Sequence, residues 1–193
     1  MRQIAWAFLK EDQMMEKSYK GSVIGAVKGD LSRFEGVDVL VLGADTTLYL
    51  DSGVCKAIHN VAGPELYEAV MKLGGCELGE ARITPAFNAP SKAIVHVAAP
   101  RWEGGDSGEE SLLYSCYKNI ALLTDSNGYT SAAMPALGTG VYKWPIDLAI
   151  RTGLKAVTDF IDSHPGKSYR FVWVLFDDAT TESYEKGLEE YFG

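Results

Sequence analysis

The stretch Ser131-Ala132-Ala133-Met134-Pro135-Ala136-Leu137-Gly138-Thr139-Gly140-Val141-Tyr142-Lys143-Trp144-Pro145 decides how this chain is read. Ser131 to Met134 is small and apolar and predicts a buried strand, and Pro145 stands where a helix begins. Proline suits the first helical turn because the N–H it lacks would be unpaired there in any case. Between strand and helix, Gly138 and Gly140 free the backbone to bend and let a ligand approach the main chain. Exposed N–H groups in such a loop, beside a helix N-terminus, attract anions and phosphates above all. Taken alone, the segment fits a tight strand-to-helix connection equally well.

Working outward, short apolar runs alternate with amphipathic segments along the chain. Ile4 to Leu9 and Val23 to Val27 read as strands, and Val39 to Leu42 is apolar throughout, as a strand covered on both faces is. Helices are predicted from Gly53 to Ala62 and from Pro64 to Leu73, followed by strands at Ala81 to Thr84 and Ala93 to Ala98. Ser111 to Asp125 places Leu113, Cys116, Ile120 and Leu123 on one helical stripe. Ile146, Ile150, Leu154, Val157 and Ile161 form another, and Phe171 to Phe176 and Thr181 to Tyr191 close the chain as strand and acidic helix. This interleaving predicts an α/β fold, a three-layer α/β/α sandwich around a mixed, largely parallel sheet. No repeat or linker divides the chain, so residues 1–193 are expected to form one domain, with 1–21 as an N-terminal strand extension.

The 193 residues are 47% apolar and carry a net charge of −8. Nonspecific binding to nucleic acid or to an anionic membrane needs a basic face, so neither partner is expected. No apolar run approaches the ~20 residues that span a bilayer. The opening apolar run gives way to Lys10-Glu11-Asp12, unlike a signal peptide. Cys55, Cys76 and Cys116 are an odd, scattered set that suggests reduced thiols and a cytoplasmic protein. Without Cys-x-x-Cys or His-x-x-x-His pairs, neither a metal nor a cofactor is expected. Oligomeric state is not legible.

Open α/β sheets bind ligands beyond the carboxyl ends of their strands. Four predicted loops lie there: Lys28 to Leu31, Gly43 to Val54, Leu137 to Tyr142, and Phe176-Asp177-Asp178. Together they resemble the macro domain, a family of ADP-ribose-binding modules. Val27-Lys28-Gly29-Asp30-Leu31 resembles the family's Gly-Asp-Ile loop, and Val37 to Gly63 its Asn-Ala-Ala-Asn strand, glycine-rich loop and first helix. Ile94 to Pro100 is similar to its central strand, and Pro135 to Tyr142 to its second phosphate loop, so the resemblance spans roughly residues 22–178.

The resemblance implies roles for named residues. Asp30 would accept a hydrogen bond from the adenine amine, with the Leu31 main chain beside it; a carboxylate only accepts, which suits that donor. The alternative for Asp30 is a cap on the turn at Ser32-Arg33-Phe34. Ser52, Gly53 and Val54 would enclose the diphosphate together with Leu137, Gly138, Thr139, Gly140, Val141 and Tyr142. Tyr142 would also close over the distal ribose, and Phe176 would either pack against adenine or end a core strand.

Departures from the family pattern bear on affinity and chemistry. Asn-Ala-Ala-Asn is replaced by Leu42-Gly43-Ala44-Asp45, so Asp45 stands where an asparagine would hold the distal ribose. Leu50-Asp51-Ser52-Gly53 keeps only the last glycine of the first phosphate loop. At about 6 Å and an effective dielectric near 20, Asp51 and a phosphate repel by on the order of 2–3 kcal/mol. Cys55 stands where hydrolytic members carry an aspartate, and a thiol serves as general base only with a depressed pKa. Binding of ADP-ribose, free or on a modified protein, is therefore the first expectation. Hydrolysis of an ADP-ribosyl protein, O-acetyl-ADP-ribose or ADP-ribose-1″-phosphate is the second, with Asp45 or Asp51 activating water. The third is a divergent scaffold without a nucleotide. His59, His96 and His164 read as structural, Glu109-Glu110 as solvated helix-end charges, and Trp144 as a loop anchor whose indole N–H needs a partner.

Overall fold

Side-chain alternation along β3, Val39–Ala44, sets the architecture: Val39 and Val41 face one core, Leu40 and Leu42 the other. The computed structural model describes residues 14–49 and 53–193. Its further strands are β1 (Met14–Tyr19), β2 (Ser22–Lys28), β4 (Ala81–Pro85), β5 (Ala93–Ala98), β6 (Ser131–Met134) and β7 (Arg170–Leu175). They form one sheet in the order β1-β2-β7-β6-β3-β5-β4. The five inner strands are parallel, and β1 and β4 close the two edges in antiparallel pairing.

Helices cover both faces, as parallel strands require. On one side lie α1 (Gly53–Ala62) and α2 (Pro64–Leu73), which bury Ile58, Leu66 and Val70 with Leu40 and Leu42. On the other lie α3 (Glu109–Ser126), α4 (Ile146–Asp162) and α5 (Asp178–Phe192), which bury Leu113, Ile120, Leu154 and Leu188 against Val39, Val95 and Trp173. This is the expected three-layer α/β/α sandwich with a mixed, largely parallel sheet.

Most expected elements fall within one or two residues of their observed bounds, and two details differ. The strand expected at Ile4 to Leu9 lies outside the described residues. Within the expected N-terminal extension, Met14 and Met15 open the edge strand β1, which turns into β2 through Lys20 and Gly21, both with positive φ (48° and 83°). Two such residues make the tight hairpin turn that matches strand twist. The last strand stops at Leu175 and releases Phe176 to solvent. Glu109 is not a solvated helix-end charge: it is 3% exposed, and its carboxylate accepts the N–H groups of Glu103 (3.2 Å), Gly105 (3.0 Å) and Ser107 (2.7 Å). That carboxylate gathers the β5–α3 loop by accepting three of its backbone N–H groups.

Candidate functional site

The parallel register brings the carboxyl ends of β2, β7, β6, β3 and β5 to one edge of the sheet, in that spatial order. The residues just beyond them, Asp30, Phe176, the 137–142 loop, Asp45 and Arg101, therefore form a row. Residues distant in sequence meet there because each crossover helix returns the chain to the opposite edge.

At the β2 end, Gly29 donates its N–H to the Leu175 carbonyl at 2.7 Å, which draws the Asp30 loop against the end of β7. Asp30 caps the short 3-10 turn Leu31–Arg33: its Oδ1 accepts from Ser32 N at 2.9 Å and Ser32 Oγ at 2.7 Å. The two readings of Asp30 are thus compatible. Oδ1 is committed to the cap, and Oδ2 faces outward with Arg33 Nε 3.8 Å away. Leu31 buries its side chain and leaves its main chain at the row. Phe176 is 82% exposed beside this loop, so it does not end a core strand.

The 137–142 loop rests on a buried base. Leu137 is buried against Gly43, where a Cβ would come within 2.8 Å of its Cδ2. Its N–H donates to the hydroxyl of the fully buried Tyr117 at 3.2 Å, which also accepts from Trp173 Nε1 at 3.2 Å. Gly138 has φ +81°, the left-handed region that favours glycine. Gly140 does not share that geometry and meets no atom within 4 Å, so backbone bending requires only the first of the two glycines. Trp144 anchors the loop as expected, with its indole N–H donating to the Pro100 carbonyl at 2.9 Å. Among the described residues, the N–H groups of Gly138, Gly140, Val141 and Tyr142 meet no acceptor, whereas Thr139 N–H turns back to the Ala136 carbonyl at 3.4 Å. Four donors left over on a supported loop make a cradle for an anion.

Asp45 leaves β3 in a tight turn. Its Oδ1 accepts from Thr47 N (2.8 Å) and Thr47 Oγ1 (2.6 Å), and its carbonyl from Leu48 N (3.0 Å). Half-buried Asp45 stands close enough to Tyr142 to act on its phenol. Burial first, then the Asp45 charge, raises the Tyr142 pKa, while the Arg101 cation opposes them. Leu50, Asp51 and Ser52 lie outside the described residues. Just beyond them, Gly53 is exposed with φ +54° and Val54 is half-buried at the start of α1. Cys55, in the first turn of α1, is buried in the core.

Two residues of the row were missed in the sequence. Arg101 carried no expected role, yet its guanidinium sits 5.2 Å over the Tyr142 ring. Trp102 donates its N–H to the Tyr142 carbonyl at 2.9 Å, and its ring packs at a 54° tilt against Trp144, centroids 4.9 Å apart. An arginine directly beyond a buried strand in an acidic chain was the available signal. Away from the row, a concavity of about 320 Å³ between α1 and α2 is lined by Tyr49, His59, Asn60, Gly63, Pro64 and Tyr67. It contains none of the expected site residues. Among the described residues, no group of three or more His, Cys, Asp or Glu is placed to hold a metal ion, and no helix is long and apolar enough to cross a membrane.

A three-layer α/β/α sandwich with its row of loops at the carboxyl ends of a parallel sheet defines a ligand-binding α/β class. Within that class, the macro domain model matches residues 41–152. An O-acetyl-ADP-ribose deacetylase of Shigella flexneri is 39% identical over 86% of this chain and 96% of its own length. A macro domain-containing protein of Chlorobaculum tepidum is 36% identical over 86% of this chain and 95% of its own. The solved macrodomain of Oceanobacillus iheyensis with ADP superimposes with a TM-score of 0.86, at 29% identity over 93% of this chain and 96% of that one. The Trypanosoma brucei macrodomain in complex with ADP-ribose gives a TM-score of 0.78 at 30% identity, over 86% of this chain and 68% of that one. The chain belongs to the macro domain family.

Proposed function

We propose that this chain binds ADP-ribose, free or attached to a modified protein, along the row from Asp30 to Asp45. The observation that carries this reading is the set of N–H groups at Gly138, Gly140, Val141 and Tyr142 that meet no acceptor among the described residues, between an exposed aromatic ring and a carboxylate. A diphosphate satisfies such donors without a basic side chain. Adenine would lie on Phe176 with its amine donating to Asp30 Oδ2 beside the Leu31 main chain. The diphosphate would rest on residues 137–142, with Ser52, Gly53 and Val54 on its other side. The distal ribose would meet Asp45 under Tyr142. The structures bound to ADP and to ADP-ribose support a ligand of this kind. A cytoplasmic single domain completes the reading, supported by the free thiols at Cys55, Cys76 and Cys116.

Calorimetric titration with ADP-ribose, with AMP and GDP-ribose as controls, tests it. Micromolar binding that rejects the guanine analogue is expected. No binding at millimolar ADP-ribose would overturn the reading in favour of a divergent scaffold that no longer takes the nucleotide.

A second reading, hydrolysis, is favoured by the 39% identity to a protein named O-acetyl-ADP-ribose deacetylase. Here Asp45 Oδ2 is the described carboxylate oxygen free to orient a water, since Oδ1 holds Thr47. Asp51 is the other candidate. Turnover of O-acetyl-ADP-ribose that survives both Asp45→Ala and Asp51→Ala would eliminate these two carboxylates as the essential base.

A further inference from the structure

The order of strand ends gives the site a direction. A ligand laid with its base over β2 and β7, its diphosphate at β6 and its distal ribose at β3 points whatever that ribose carries toward the end of β5. The first charged residue beyond β5 is Arg101, separated from it by Ala99 and Pro100.

Arg101 is held there rather than left to wander. Trp102 N–H donates to the Tyr142 carbonyl at 2.9 Å, and Trp144 Nε1 donates to the Pro100 carbonyl at 2.9 Å, so both neighbours of Arg101 are tied to the phosphate-loop segment. The far end of the same loop is gathered by Glu109 through three backbone N–H groups. The guanidinium itself lies 5.2 Å over the Tyr142 ring, an arrangement that limits its rotamers. Among the described residues, no carboxylate lies within ion-pair distance of it. In a chain with 26 acidic and 18 basic residues, that leaves a positioned cation beside the distal end of the row.

Resting on the function proposed above, we infer that Arg101 is a specificity-determining residue that reads negative charge on the substituent of the distal ribose, favouring a phosphomonoester there over a free hydroxyl or a neutral acyl ester. Guanidinium donors match phosphate oxygens in planar, paired geometry, and a neutral ester offers them one carbonyl. Tyr142 presents the ring that fixes the guanidinium, so the cation is arranged before the ligand arrives.

The test compares affinities of the full chain for ADP, ADP-ribose and ADP-ribose-1″-phosphate by calorimetry, with phosphate release followed in parallel so that turnover is counted. ADP lacks the distal ribose and gives each variant its own baseline. The wild type is expected to prefer the phosphorylated ligand over ADP-ribose by about twofold to fivefold, the range of one exposed charge pair. Higher salt should shrink that preference. Arg101→Gln should bring the ratio to one or below, and Arg101→Lys should keep part of it. The same ratio in wild type and Arg101→Gln, or no preference in a wild type that binds ADP-ribose, overturns this inference alone. Absence of binding to ADP and ADP-ribose overturns it together with the proposed function.

Discussion

The indole of Trp144 occupies the space a Cβ on Gly138 would need: that atom would collide with Trp144 Cδ1. The contact is reciprocal, because Trp144 N–H donates to the Gly138 carbonyl at 3.1 Å. Gly138→Ala must both force a side chain into φ +81° and displace the ring, so a loss of about 1–3 kcal/mol of stability is expected. Gly140→Ala meets open space and should leave stability within about 0.5 kcal/mol. It should nevertheless weaken ADP-ribose binding, since its methyl group would stand on the loop proposed to hold the diphosphate. Denaturant unfolding and calorimetry on the two variants separate these effects. Equal loss of stability in both would show that the loop backbone is not shaped as described.

Tyr117 supports the same loop from beneath. Its hydroxyl is the acceptor for two buried donors, Leu137 N–H and Trp173 Nε1–H. Tyr117→Phe removes one oxygen and orphans both. A cost of about 1–3 kcal/mol is expected, because a buried donor without a partner loses its hydration with no return. As Leu137 opens the loop, affinity for ADP-ribose should fall along with stability. An unchanged melting temperature would mean that water reaches both donors.

How far the sequence discloses such roles depends on the kind of signal. The strands and helices were legible because their apolar residues repeat at the periods the fold uses: β5 and β6 are wholly apolar, and α4 keeps its stripe from Ile146 to Ile161. That Asp30 and the 137–142 loop meet at one edge of the sheet was legible because loops after parallel strands converge. Tyr117 was hidden since it adjoins the apolar stripe of α3, where an aromatic residue reads as filling. Glu109 was misread because a carboxylate at a helix start is ordinarily solvated, and only the folded loop brings it three donors. Arg101 was missed because β5 and β6 are separated by all of α3, so the meeting of Arg101 with Tyr142 depends on the crossover, not on spacing.

Asp30 calls for a paired substitution because it has two jobs. Asp30→Ala removes both the cap on Ser32 and the outward oxygen, so stability and affinity should drop together, the cap by about 1 kcal/mol. Asp30→Asn keeps an oxygen for Ser32 but turns an amide NH2 toward the base, where two donors would face each other. Stability should then hold while ADP-ribose affinity falls at least tenfold. Phe176→Ala, at a side chain 82% exposed, should likewise spare stability and reduce affinity. An Asp30→Asn variant that binds like the wild type would remove adenine from this end of the row.

His96 makes a different prediction, about pH. It lies fully buried on β5 with Nε2 2.9 Å from Thr84 Oγ1, and Nδ1 meets no partner among the described residues. Burial, and secondarily His59, pushes its pKa down from 6.5 to about 3. In the unfolded chain the imidazole takes up a proton near pH 6.5, whereas the native state resists until about 3. Between those values the unfolded state binds more protons, so stability must fall as the pH is lowered through that window, by at most about 1.4 kcal/mol per unit from this group. Down to about pH 5 most carboxylates stay ionised, so the upper part of the window isolates the histidines. His59 adds to the slope in the same direction, as burial also lowers its pKa. His96→Gln can retain the bond to Thr84 but has no proton to gain, and it should flatten the stability profile between pH 7 and pH 5 without abolishing it. Denaturant midpoints at pH 7, 6 and 5 provide the comparison. An identical slope in the variant would place the acid sensitivity elsewhere and show that His96 is already charged, or hydrated, in the native state.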